Sequence, residues 1–241
     1  MRHRIYTHDP LAGLVTIRGE ELHHAARVVR VHEGEEVELF DGEGRAAAGI
    51  VQSIEHEQMI VRIEKPIDSR ESPVAIDLAM AIIQLEKFEL VLQKATELGV
   101  RSIIPMTTDR VEVRPERYRG KHERWGKIIF EATKQSGRSV IAKLEAPTTF
   151  DEVVQRKENK ILFDAEADPT QHSALGTQHL LLIGPEGGWT PRELELARES
   201  GCAFEQLGPR RLRAETAAIV ACARHNDRFT NSEESRWPMT P

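Results

Sequence analysis

The chain has 241 residues, 39% of them hydrophobic and 30% charged, with a formal net charge of −6. That balance can bury a full core and excludes a disordered, fibrous or globally basic nucleic-acid-binding protein. Two cysteines, Cys202 and Cys222, are too few for a disulfide framework or a metal cluster. With no signal-peptide core at the amino terminus and no apolar run long enough to span a bilayer, a cytoplasmic protein without a membrane role is expected.

At roughly 150 residues per domain, the length predicts two unequal domains. Alternating apolar segments at 13–17, 37–40, 48–51 and 59–63 predict short strands. A helix from about 20 to 31 carries Leu22, Ala25, Ala26 and Val29 at helical spacing, and Asp41-Gly42-Glu43-Gly44 reads as a tight turn. Residues 1–70 are therefore a small β-rich module, and the polar stretch 66–73, bounded by Pro66 and Pro73, reads as a linker. From Val74 onward, apolar strands alternate with helices, the pattern of a parallel α/β sheet over 74–230. Strands are expected at 74–83, 102–104, 160–163, 179–183 and 203–207. Leu85, Phe88, Val91, Leu92, Ala95 and Leu98 line one helix that stops at Gly99, and 115–135 reads as one long helix. Thr190-Pro191-Arg192-Glu193 is a capping box with proline at the first helical position, opening a helix that Gly201 closes. A last helix is expected from about 214 to 228, then a loose polar tail, 231–241.

Two loops carry the chemistry. Gly184-Pro185-Glu186-Gly187-Gly188 follows a buried strand and precedes a capped helix, where open α/β sheets bind ligands. Its glycines admit a ligand close to the backbone, but it has no lysine and carries Glu186. Ribose hydroxyls, an adenine edge or a cation therefore suit it better than a triphosphate. One strand later, Leu207-Gly208-Pro209-Arg210-Arg211-Leu212-Arg213 sets three arginines at a helix entrance. The helix dipole disfavours such a cluster unless an anion neutralises it, and RNA phosphate is the candidate. Between Arg101 and Lys143, eleven basic residues face five acidic ones in an otherwise acidic chain, which fits a phosphate-tracking surface. Six histidines crowd the first 56 residues without metal-ligand spacing, so no metal is expected, and Cys202 has no evident base.

Those loops, with Gln93-Lys94-Ala95-Thr96-Glu97-Leu98-Gly99-Val100, Gln135 and Arg138, resemble the bacterial family of small-subunit ribosomal RNA uridine N3-methyltransferases (ribosomal RNA small subunit methyltransferase E) of the SPOUT superfamily. The resemblance implies a carboxy-terminal parallel-sheet SPOUT domain with a trefoil knot, preceded by a PUA-like RNA-binding barrel. It implies S-adenosylmethionine as cofactor, held by Leu182, Ile183, Gly184, Pro185, Glu186, Gly187, Gly188, Leu207, Gly208, Leu212, Arg213, Thr216 and Ala217. RNA contacts fall at Arg4, Arg27, Arg30, Lys94, Arg110, Arg138 and Arg210. The implied partners are 16S ribosomal RNA, free or in the assembled small subunit, and a second copy of the chain. The dimer is also suggested by the apolar run 217–223, which would put Ala218 or Cys222 near the axis. Ala214 stands where the family usually has threonine, Val111 where it has serine, and Arg211 where it has an aliphatic residue.

For displacement at a sulfonium methyl by uracil N3, arginine suits the negative charge that spreads to the carbonyl oxygens. Arg213 leads, with Arg210 behind it, and Glu215 is the candidate proton acceptor unless it merely caps its helix. A non-enzymatic RNA-binding or ribosome-assembly protein and a methyltransferase of transfer-RNA ribose are the competing readings.

Overall fold

The computed structural model describes residues 3–168 and 177–230; the expected tail, 231–241, lies outside them. The described residues divide into two compact units, one made of those up to 71 with 130–141 and the other of 72–129 with those from 142 onward. Chain order had not separated 130–141 from the second domain.

The first unit contains β1 (His3–Tyr6), β2 (Leu14–Ile17), α1 (Gly19–His23), β3 (Glu36–Phe40), β4 (Ala46–Ile54) and β5 (Met59–Ile67). Its five-stranded sheet runs β1-β3-β4-β5-β2, antiparallel except for β1 against β3. Ile5, Val15, Ile17, Leu22, Val37, Leu39, Met59 and Val61 form its core. The helix expected over 20–31 is shorter: α1 passes into a single π-helical turn, His24–Val28, and Arg30 adopts φ 57°, which ends the element. The expected linker begins later too, because β5 continues through Pro66, which pairs with Ala47. At that end β5 has β4 on one side only, since β2 pairs no further than Arg62, so Pro66 sits at an edge, where a strand tolerates proline.

Residues 130–141 join this unit through the turn at 41–44. The Asp41 carboxylate accepts from the Glu43 and Arg45 amides, and a bridge links Gly42 to Val140. Gly42, at φ 78°, has no room for a side chain: a Cβ there would lie 2.7 Å from Ile141 Cδ1.

The second unit contains β6 (Ala75–Ala81), α2 (Leu85–Glu97), β7 (Ser102–Thr107), α3 (Pro115–Tyr118), the first half of α4 (His122–Ser136), β8 (Lys143–Leu144), β9 (Thr148–Thr149), α5 (Phe150–Val154), β10 (Asn159–Phe163), β11 (Gln178–Ile183), α6 (Pro191–Glu199), β12 (Ala203–Glu205) and α7 (Ala214–Thr230). Its parallel sheet has the order β12-β10-β11-β6-β7-β8, with β9 also on β7. Strands buried on both faces read as continuous aliphatic runs, as in Leu180-Leu181-Leu182-Ile183. The single helix expected over 115–135 is two, because Gly120 at φ 75° breaks it after α3. The run 217–223 is not an open seam. Ala218, Ala221 and Cys222 are fully buried, and α7 packs on α2, β6 and β11 of the same chain, which leaves Ala218 and Cys222 unavailable at a dimer axis.

Candidate functional site

The carboxy-terminal ends of β10, β11 and β12 open into one cavity of about 690 Å³. Three loops line it: 163–166 after β10, 183–189 after β11, and 206–214 leading into α7. Adjacent parallel strands ending at one level create such a crevice at the top of an α/β sheet.

The loop after β11 is firmly held. Gly188 N donates to Pro185 O at 2.9 Å, and the buried Trp189 Nε1 donates to Phe163 O at 2.9 Å, tying this loop to the end of β10. The Trp189 ring lies where a Cβ on Gly184 would come within 3.0 Å of it. Behind the loop, Thr190 and Glu193 form the capping box of α6, and Glu193, fully buried, also accepts from the Asp109 amide at 2.9 Å. Asp109 accepts in addition from Thr190 Oγ1 and the Arg192 fork, which hold its carboxyl below the usual aspartate range. Arg110 follows and donates from Nη1 to Gly187 O and Trp189 O. The β10 loop is tied to the β12 loop by Gln206 Nε2, which donates to Ala165 O.

Most of the expected cofactor residues line this cavity: Ile183 through Gly188, Leu207, Gly208, Leu212, Arg213 and Ala217, with Arg110 and Arg210 beside them. Leu182 is instead fully buried in the core, and Thr216 is exposed on α7 outside the lining. Glu215 is buried in the first turn of α7, also outside the lining, and its Oε2 has no hydrogen-bond partner among the described residues. Glu186 is spoken for in part, since Lys87 Nζ lies 3.3 Å from its Oε1. Sequence reasoning missed Asp164 and Glu166, which the same strand-end rule applied to β10 would have reached.

Lining and charge suit an adenosyl sulfonium ligand. Ile183, Leu207, Leu212 and Ala217 offer apolar surface, the glycine loop offers bare backbone, and Asp164, Glu166 and Glu186 offer carboxylates for hydroxyls and a cation. Neither cysteine competes as a nucleophile: burial pushes the Cys202 thiol up to about 11 and the Cys222 thiol to about 12. Among the described residues no group of three or more His, Cys, Asp or Glu is placed to hold a metal, and no helix is long and apolar enough to cross a membrane.

The expected RNA contacts separate into two kinds. Arg27, Arg30 and Arg210 are exposed, and Lys94 pairs with Glu97 at 2.9 Å. Arg4 and Arg138 are not surface residues: their side chains are 10% and 6% exposed. Arg4 donates to Glu38 Oε1 and to the carbonyls of Thr133, Lys134 and Arg138, and burial lowers its pKa against the pull of Glu38. Arg138 donates to Glu71, whose other oxygen accepts the Ser139 and Val140 amides. Both arginines fasten 130–141 to its unit and are not presented to a phosphate.

A family model described as an RNA methyltransferase domain matches residues 70–226, and one described as an RNA methyltransferase PUA domain matches 17–64. The chain is thus an RNA methyltransferase with a PUA domain. The chain is 31% identical to ribosomal RNA small subunit methyltransferase E of Bacillus subtilis over 86% of this chain and 87% of that protein, and 32% identical to its namesake in Synechocystis over 88% and 72%. It superposes on the Neisseria gonorrhoeae enzyme of that name, bound to S-adenosylmethionine, with a TM-score of 0.86 at 27% identity, covering 95% of this chain and 98% of that one. A Legionella pneumophila methyltransferase structure with bound S-adenosylmethionine gives a TM-score of 0.83 at 34% identity, with the same coverage. The chain belongs to the ribosomal RNA small subunit methyltransferase E family.

Proposed function

We propose that this chain binds S-adenosylmethionine in the cavity at the ends of β10, β11 and β12 and methylates N3 of a uridine in 16S ribosomal RNA. The observation that carries the reading is the cavity itself: a pocket lined by glycine backbone, three carboxylates and Arg210, Arg211 and Arg213, with no lysine among its described lining residues. When bound, the cofactor supplies an electrophilic methyl group on a sulfonium. The apolar lining orients a flat heterocycle, and the carboxylates favour the cation.

The nucleophile's proton has to leave, and the resulting charge spreads over the uracil carbonyl oxygens. Arg213, exposed on the rim, stabilises that charge as a permanently charged forked donor, with Arg210 as a second contact. Glu215, next in the chain to the cavity-lining Ala214 but outside the lining itself, takes the proton through water on the oxygen that has no partner among the described residues. Arg27, Arg30, Lys94 and Arg210 contact RNA phosphates, and the first unit acts as the RNA-holding module over residues 1–70, with 74–230 as the methyltransferase domain. The family likeness supports closure of the five-stranded sheet into a barrel, a trefoil knot in the second unit, and a homodimer sharing its sites. It also supports the assembled small subunit as a substrate form, in the cytoplasm.

Calorimetry with S-adenosylmethionine, followed by nucleoside mass spectrometry of 16S RNA incubated free or in small subunits, tests the reading. N3-methyluridine is the expected product. A ribose-methylated product, or cofactor binding without any transfer, would overturn it in favour of a ribose methyltransferase or a non-enzymatic RNA binder.

A further inference from the structure

We infer that Arg110 is the clasp that keeps the 187–189 backbone in its ligand-receiving shape, and that residue 187 is glycine to make room for the Arg110 stem rather than for a ligand. Its hydrogen-bond geometry differs from that expected of a phosphate contact. One nitrogen, Nη1, donates to two main-chain carbonyls, Gly187 O at 2.8 Å and Trp189 O at 3.0 Å. Bonds from a charged donor are the strong ones, and two carbonyls drawn to one cation fix the peptide planes between them.

The stem of the arginine matters as much as its head. A Cβ added at Gly187 would lie 3.2 Å from Arg110 Cβ and 3.4 Å from Cδ, tighter than ordinary contact, with the Arg110 carbonyl oxygen next at 3.7 Å. Arg110 itself is held rigidly. Its neighbour Asp109 donates its amide to the buried Glu193 and accepts from Thr190 and from Arg192, whose guanidinium also grips Asp151. The 109–110 loop, the start of α6 and the glycine loop are therefore one hydrogen-bonded block. Arg110 touches no reacting atom in this assignment; it is a positioning residue acting through the carbonyls it holds.

The inference rests on the cavity being the S-adenosylmethionine site, and its test separates the two. In the full-length protein without ligand, hydrogen exchange at 187–189 is expected to speed up in Arg110→Ala; unchanged exchange overturns the clasp whatever the cavity binds. By calorimetry, Arg110→Ala should raise the Kd for S-adenosylmethionine about tenfold, raise its KM in step with less effect on kcat, and change RNA affinity less than about twofold. Arg110→Lys should recover part of the loss.

Gly187→Ala should cost about as much as Arg110→Ala in the wild-type background and almost nothing further in an Arg110→Gly background, the non-additivity expected of residues in contact. An equal cost in both backgrounds would show that glycine serves the ligand. Lost RNA affinity with an unchanged cofactor Kd would make Arg110 a phosphate contact. Either result overturns the inference. A wild-type protein that binds no S-adenosylmethionine would instead overturn the reading of the cavity, leaving the exchange measurement to judge the clasp.

Discussion

Two arginines of the first unit, Arg4 and Arg138, and two on the cavity rim, Arg210 and Arg213, have the same side chain and opposite fates. Arg4 and Arg138 spend their donors on Glu38, Glu71 and main-chain carbonyls, nearly out of reach of water. Arg210 and Arg213 stand exposed at the mouth of a loop that has no regular structure between β12 and α7. A guanidinium presents five donors, so what distinguishes a structural arginine from a ligand-binding one is whether the folded chain has already used them. Arg192 shows that exposure alone is no guide: it is 54% exposed, yet forked between Asp109 and Asp151.

The sharpest way to break this contrast is Arg213→Ala. Methyl transfer is expected to fall by roughly 10² to 10³, as for loss of a transition-state donor, with the cofactor Kd unchanged. An equal loss of cofactor affinity would move Arg213 into the cofactor site. At the other pole, Arg4→Met should leave the buried Glu38 with only the half-exposed Arg70 as ion-pair partner and destabilise the protein by about 2 kcal/mol. Urea unfolding would read this, and RNA affinity of the folded variant should hold. A stable variant with weakened RNA binding would erase the distinction.

Smaller effects sharpen it. Arg27→Ala and Arg30→Gly should each weaken RNA binding across sequences and reduce the slope of log affinity against log salt by about 1. Arg30→Gly should also gain roughly 1 kcal/mol in stability, because Arg30 occupies left-handed backbone at φ 57°. The smallest effect is at Asp109, whose pKa is lowered first by its bond from Arg192 and then by Thr190. A carboxylate depressed in the folded state stabilises it above the ordinary value of 3.8 and loses that contribution as pH falls through the lowered one. Carboxyl NMR of Arg192→Ala should show the Asp109 midpoint moving back toward 3.8.

Local signals carried much of this site. The glycine loop is visible because an aliphatic strand, a run of small residues and the Thr190 capping box follow one another, and each is a short-range signal. The elements that escaped notice, β1, β8, β9 and α5, are of two to five residues, too short for a period to register. The box at Thr149 and Glu152 that opens α5 is of the same kind as that at Thr190 and could have been read. The fate of Arg4 could not: its carbonyl partners lie 129 to 134 residues away, and no local pattern shows which buried acceptors a distant segment will bring. The cavity's β10 wall was within reach, but Asp164 and Glu166 carry no motif of their own.

The chain's double visit to the first unit, over 1–71 and again over 130–141, has a consequence for anyone recombining relatives. A chimera joined once, near residue 72, would inherit Glu21, Glu38 and Glu71 from one parent and Lys134 and Arg138 from the other, so both ion pairs, Lys134 with Glu21 and Arg138 with Glu71, would straddle the parental seam. The exchangeable cassette is discontinuous: a swap that keeps its electrostatic bookkeeping has to transplant the short helical return along with the sheet.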